Sequence, residues 1–218
     1  MSIARQLVSF AIQAGSSDIH LEEGSAIAIR VNSDIRILDN VLSSKDMDQL
    51  LEELLDSQKL QSFQQHHDLD TSIGLDGLSR IRINAYIANE RRCLTLRILP
   101  DQLPKWQKLG LPQPFINLSL KHRGMVLCTG PTGSGKSTTL AAFIHCILEQ
   151  QRRHILTIED PIEFEFQHTS KSIIHQREVK RDTQSFATAL RAALREDPDV
   201  IYIGEMRDLE TIQLAITA

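Results

Sequence analysis

Gly130-Pro131-Thr132-Gly133-Ser134-Gly135-Lys136-Ser137 satisfies the pattern G-x-x-x-x-G-K-[ST], and its flanks decide how it is read. Ahead of it, Gly124-Met125-Val126-Leu127-Cys128-Thr129 is a short apolar run that predicts a buried parallel strand. Behind it, Thr138 to Gln150 predicts a helix with Leu140, Phe143, Ile144 and Ile147 on one face. Between a strand and a helix, this pattern closes around phosphates. Glycines let backbone N–H groups converge, and the helix N-terminus adds the positive end of its dipole. Lys136 then bridges the β- and γ-phosphates, and the Ser137 hydroxyl can ligate Mg²⁺. The candidate nucleotide-binding residues are Gly130, Pro131, Thr132, Gly133, Ser134, Gly135, Lys136, Ser137 and Thr138.

Downstream the pattern continues as alternating strands and helices. Ile155-Leu156-Thr157-Ile158 and Val200-Ile201-Tyr202-Ile203 predict buried strands, and Phe186, Ala189, Leu190, Ala193 and Leu194 mark a helix starting near Asp182 or Thr183. Such alternation implies a parallel sheet with right-handed crossovers. Glu159-Asp160-Pro161-Ile162-Glu163 follows a core strand directly, where ligands of parallel sheets collect. Val200 to Glu205 resembles a Walker B strand with one departure. Gly204 stands where the usual aspartate ends the run, so the metal role passes to Glu205 through water, or to Asp160 or Glu163.

Upstream, the first hundred residues predict a small α+β unit. A helix over Ile3 to Ala14 stops at Gly15, strands at Ile27–Val31 and Ile35–Leu38 flank a turn, and a second helix begins near Ser44. Two further strands follow. One turns Ile81, Ile83, Ala85 and Ile87 to one face and Arg80, Arg82, Asn84 and Tyr86 to the other, and the next runs from Cys93 to Leu99 with Leu94, Leu96 and Ile98 opposite Arg97. Pro100, Pro104, Pro112 and Pro114 predict an irregular linker over 100–115 between domains at 1–99 and 116–218.

The chain has 218 residues with 24 Lys+Arg against 28 Asp+Glu, a net charge of −4, so no basic excess points to nucleic acid. No apolar run is long enough for a membrane span, and three widely spaced cysteines suggest neither a disulfide framework nor zinc. A cytoplasmic protein is expected. His145, His154, His168 and His175 show no metal-ligand spacing, and His66-His67 reads as exposed turn.

Three motifs together carry a resemblance. Gly130–Thr138, Ile158-Glu159-Asp160-Pro161-Ile162-Glu163, and Leu194-Arg195-Glu196-Asp197-Pro198-Asp199 leading into Gly204-Glu205-Met206-Arg207-Asp208 are similar to the secretion ATPase superfamily, the hexameric motors of type II secretion and type IV pili. Ser17-Asp18-Ile19-His20-Leu21-Glu22, Arg30-Val31-Asn32 and Arg80-x-Arg82-x-Asn84-Ala85 resemble its PAS-like domain. The short N-terminal part resembles the pilus-retraction branch, since Met1 leaves no room for an extra leading domain. Pilus assembly or type II secretion ATPases, and a nucleotide-binding modulator of such rings, are the alternatives.

The resemblance implies an α/β protein, a PAS-like α+β domain followed by a RecA-like parallel-sheet P-loop core. That core would be partial, because the family's histidine-containing strand falls beyond Ala218. It implies ATP and Mg²⁺ as cofactors, Glu163 as general base, and Glu205 acting on Mg²⁺ together with Ser137. Arg82 and Arg97, with Arg80 less well matched, would reach the γ-phosphate. For the full-length protein, a homo-hexamer acting on an inner-membrane platform protein is the implied assembly. His20, though in a family motif, is expected to order structure.

Overall fold

The computed structural model describes residues 2–75, 77–99, 106–131 and 133–218, so Thr132, Pro100 and Pro104 lie outside it. The chain divides into two compact units, Met1–Asp101 and Gln102–Ala218.

The first unit runs α1 (Ile3–Gln13), β1 (Ser16–Glu22), β2 (Ala26–Val31), β3 (Asp34–Val41), α2 (Ser44–Leu54), α3 (Ser57–His66), β4 (Asp68–Leu75), β5 (Ser79–Ala88) and β6 (Arg91–Ile98). Its six strands form one antiparallel sheet in the order β3-β2-β1-β6-β5-β4. Strict alternation sends Ile19, Ile29, Ile81, Ile83, Leu94 and Leu96 to one face, where they pack with Val8 of α1 and Met47, Leu50 and Leu51 of α2. Local chemistry sets the helix starts. The Ser43 hydroxyl and Asp46 carboxylate form a reciprocal capping box at α2. The Glu53 carboxylate accepts from the backbone N–H groups of Ile3 (3.2 Å) and Ala4 (2.8 Å), tying α2 to the N-terminus of α1. His66 ends α3 and His67 follows in the left-handed region, both exposed.

The second unit contains a 3₁₀ turn (Trp106–Lys108), α4 (Gln113–Ser119), α5 (Lys136–Gln150), β7 (His154–Glu159), β8 (Ile173–Glu178), α6 (Phe186–Ala193), β9 (Val200–Ile203) and α7 (Leu209–Thr217). Its parallel sheet has three strands in the order β8-β7-β9. Together the two units make a mixed α/β chain with one antiparallel and one parallel sheet.

Two expectations change here, and the structure adds strands for which none was stated. Residues 124–129 form no strand; Met125, Val126 and Leu127 are exposed and have no ladder partner among the described residues. An apolar run becomes a strand only where a neighbour takes its N–H and C=O groups. The prolines at 112 and 114 do not exclude helix. Pro112 caps α4 and Pro114 lies in its first turn, where backbone N–H groups lack helical partners anyway. Finally, β4 and β8 carry too many polar residues for their sequences to announce strands.

The apolar seam between α2 and the sheet dominates the first unit. Leu50 is fully buried in it. Leu50→Ala is expected to destabilise that unit by about 2–5 kcal/mol, read from the midpoint of urea unfolding.

Candidate nucleotide site and arginine face

The glycine-rich loop ends in α5, whose fifteen residues start at Lys136. Gly135, at φ +87°, caps the helix with no side chain on its first N–H groups. Gly130 has φ +149°, and a Cβ there would stand 2.9 Å from Ser134 Oγ. Both positions need glycine for backbone reasons. The Lys136 ammonium folds across the loop and donates to the carbonyl oxygens of Gly130 (3.0 Å) and Pro131 (2.8 Å). An exposed glycine-rich loop, a helix N-terminus and an ammonium that reaches across the loop suit a polyanion. Gly133, Ser134, Ser137 and Thr138 lie on this loop and the first turn of α5.

The acidic cluster sits at the carboxyl end of β7. Glu159 is only 5% exposed. Its carboxylate accepts from Thr157 Oγ1 (2.6 Å) and Gln176 Nε2 (3.2 Å). Burial pushes its pKa up to about 7, against those hydrogen bonds and that from the Glu163 backbone, and the nearby Glu163 charge adds to the rise. Burial and the charges of Glu159 and Glu163, with a smaller push from Cys128, raise the Tyr202 hydroxyl as well. Glu163 is half-buried and belongs to this cluster. Asp160 instead lies 3.8 Å from Lys180. Glu205 accepts from Arg207 at 2.8 Å.

Gly204 touches this cluster closely. Its N–H donates to the Ile158 carbonyl (2.8 Å), and a Cβ there would stand 3.4 Å from that oxygen and from Glu159 Cα. The missing aspartate of the Walker B pattern thus coincides with a close approach of β7. Thr157, Gln176 and Tyr202 escaped sequence reasoning as site residues, and Glu159 reads there as part of the acidic cluster without a role of its own. A lone threonine inside an otherwise apolar strand was the one available signal.

The arginines lie on the open face of the antiparallel sheet. Strand register sets Arg82 of β5 directly opposite Arg97 of β6, and each has its own carboxylate. Arg82 donates to Asp70 through Nε (3.0 Å) and Nη2. Arg97 donates through Nε to Asp18 Oδ1 (2.8 Å). Arg80 donates to Ser72 Oγ at 2.9 Å. His20 Nδ1 is 3.5 Å from Thr95 Oγ1 on the same face, and its Nε2 is buried with no hydrogen-bond partner among the described residues.

His154, His168 and His175 come together at the other end of the parallel sheet. His154 Nε2 is 3.0 Å from His175 Nδ1, and His168 meets His175 edge-on. His154 also donates to the Asp197 carbonyl, and His168 accepts from the Ile174 N–H. Among the described residues no three side chains are grouped to hold a metal. Arg191 pairs with Glu210, joining α6 to α7.

Glu159 has a measurable signature. A carboxyl raised from 4.5 to about 7 holds its proton more tightly folded than unfolded. Its contribution is therefore complete below pH 4.5 and is lost as pH rises through 7. Glu159→Gln is expected to remove this dependence. Relative to the parent, the variant gains on the order of 2–3 kcal/mol between pH 4 and pH 8 in denaturant titrations.

With this geometry in hand, the comparisons with known proteins are specific. The whole chain, residues 1–218, matches the family described as Type II/IV secretion system protein. It is 44% identical over 214 residues to the type IV pilus retraction ATPase PilT of Pseudomonas aeruginosa, covering 98% of this chain and 62% of that protein. It is 46% identical over 191 residues to a twitching motility protein of Neisseria gonorrhoeae, covering 87% and 51%. A crystal structure of the pilus retraction motor PilT with bound ADP superposes with a TM-score of 0.93 at 44% identity, covering 100% of this chain and 64% of that one. The chain thus spans between half and two thirds of the length of these relatives. With its loop, its acidic cluster and its full-length match, the chain belongs to the type II/IV secretion system protein family.

Proposed function

We propose that this chain is the nucleotide-handling part of a motor ATPase that couples ATP hydrolysis to type IV pilus retraction. The observation that carries the reading is the complete glycine-rich sequence pattern Gly130–Ser137 leading into α5, in a fold matching a retraction motor crystallised with ADP. On this reading residues 1–99 are a PAS-like domain, 100–115 a linker and 116–218 part of a RecA-like core. No helix among the described residues is long and apolar enough to cross a membrane. We place the protein in the cytoplasm, in a homo-hexameric ring against an inner-membrane platform protein, with no nucleic-acid partner.

Gly130 to Thr138 wrap the phosphates, and Lys136 exchanges its loop carbonyls for β- and γ-phosphate oxygens. Glu163 is the general base. Glu159 beside it is pushed up to about 7 by burial, which lessens the negative charge set next to Glu163 near neutral pH. Arg82 and Arg97 meet the charge that develops on the γ-phosphate. The family implies Mg²⁺, and the donors present suit a hard cation. The Ser137 hydroxyl opens α5 and the Glu205 carboxylate follows β9, leaving water and phosphate oxygens to complete the shell. When bound, the ion would neutralise charge on the β- and γ-phosphates.

Lys136→Ala is expected to abolish or severely weaken ATP binding in calorimetry; unchanged affinity would refute the loop assignment. Glu163→Gln should retain ATP binding and lose hydrolysis in a phosphate-release assay, because the amide cannot accept the water proton. Turnover at the parent rate would move the base to another carboxylate.

A further inference from the structure

Arg82 and Arg97 are directly opposed on neighbouring strands, an arrangement that repels unless each charge is answered. Each is answered, but differently. Asp70 takes the side-on edge of Arg82, accepting from both Nε and Nη2. Asp18 takes only Nε of Arg97, and the two terminal nitrogens of Arg97 make no hydrogen bond among the described residues. Arg97 is 55% exposed while Asp18 is 8% exposed, so a fixed base carries an open guanidinium.

The two carboxylates also differ in their setting. Asp18 lies on β1, hydrogen-bonded to both β2 and β6, and accepts a further bond from Ser17 Oγ at 2.8 Å. Burial works against its charge, yet hydrogen bonds from Arg97 and Ser17 hold the carboxyl below its ordinary value. Asp70 lies on β4, the edge strand of the sheet, and is more exposed. Recognition of a phosphoryl group by arginine needs two N–H groups pointing the same way. Arg97 offers its terminal pair without giving up its anchor. Arg82 has a terminal pair as well, but its anchor Asp70 stands on an edge strand and is more exposed, so that pair is aimed less firmly.

We propose that Asp18 is a positioning residue that aims Arg97 at an incoming phosphoryl group, while Asp70, on the exposed edge strand, holds Arg82 less firmly and leaves it the subordinate partner. The proposal rests on the reading of these arginines as γ-phosphate contacts. It adds the division of labour between them and the carboxylate that sets it.

The test uses the protein as expressed from its own gene, with kcat and KM for ATP measured for single and paired variants. Asp18→Ala is expected to lower kcat at least tenfold with KM within twofold. Asp18→Asn keeps an acceptor for the Arg97 Nε–H and should recover most of that loss. In an Arg97→Ala background, Asp18→Ala should cost less than a further twofold, because the residue acts through Arg97. Asp70→Ala should cost at least fivefold less in kcat than Asp18→Ala. In NMR spectra of the 218-residue chain, the Arg97 Nε–H resonance should shift or broaden in Asp18→Ala alone of the two alanine variants.

Full turnover by Arg97→Ala would sink the underlying reading. If Arg97→Ala is impaired while Asp18→Ala matches the parent, or if the Asp18 and Asp70 losses are equal, the positioning proposal fails and the arginine reading survives. A loss confined to KM, or an Asp18→Ala loss undiminished in the Arg97→Ala background, would also overturn it.

Discussion

Buried backbone must have its hydrogen bonds, and that constraint organises both units of this chain. In the first unit β1 lies between β2 and β6, so its polar groups are taken on both edges and its side chains are free to divide by face. In the second unit β7 lies between β8 and β9, with Ile155, Leu156 and Ile158 buried almost completely. The run 125–127 is as apolar as β7, yet without a ladder it stays exposed. Hydrophobicity selects segments able to be strands; pairing decides which of them are.

The same constraint places the chemistry. A parallel strand buried on both faces can present a polar side chain to a site only near its end, and β7 does so with Glu159. There the carboxyl is desolvated by the sheet while hydrogen bonds from Thr157 and Gln176 favour its charged form, a balance that pushes its pKa up to about 7. The antiparallel sheet works the opposite way. One face is covered by helices and the other is left for ionisable residues, so Asp18, Arg82 and Arg97 gather at matched register positions. The ion pairs there are partly exposed, so their importance is geometric more than energetic.

Much of this was legible in the residues. The loop pattern, the alternation over Ile81–Ala85 (it ends at Ile87, which is exposed) and the helical stripe of Met47, Leu50, Leu51 and Leu54 each carry their structure in a local period. β4 and β8 were not legible. Their partners, β5 and β7, supply the regularity that Asp68–Leu75 and Ile173–Glu178 lack by themselves. The prolines of α4 misled because a proline disrupts a helix by position, and the first turn is where it does no harm.

For the candidate site, the sequence alone determined which residues could bind phosphate and which carboxylates and arginines were available, because motif spacing within one loop or strand is a covalent property. It also determined which face of β5 and β6 the arginines occupy, since the pleat has a period of two. Only the tertiary structure decided that Arg97 rests on Asp18 and Arg82 on Asp70, residues 79 and 12 positions away. It alone made Glu159 the buried member of its cluster and brought β7 against Gly204. Those outcomes depend on strand order and burial, which arise when distant segments meet and which no local period encodes.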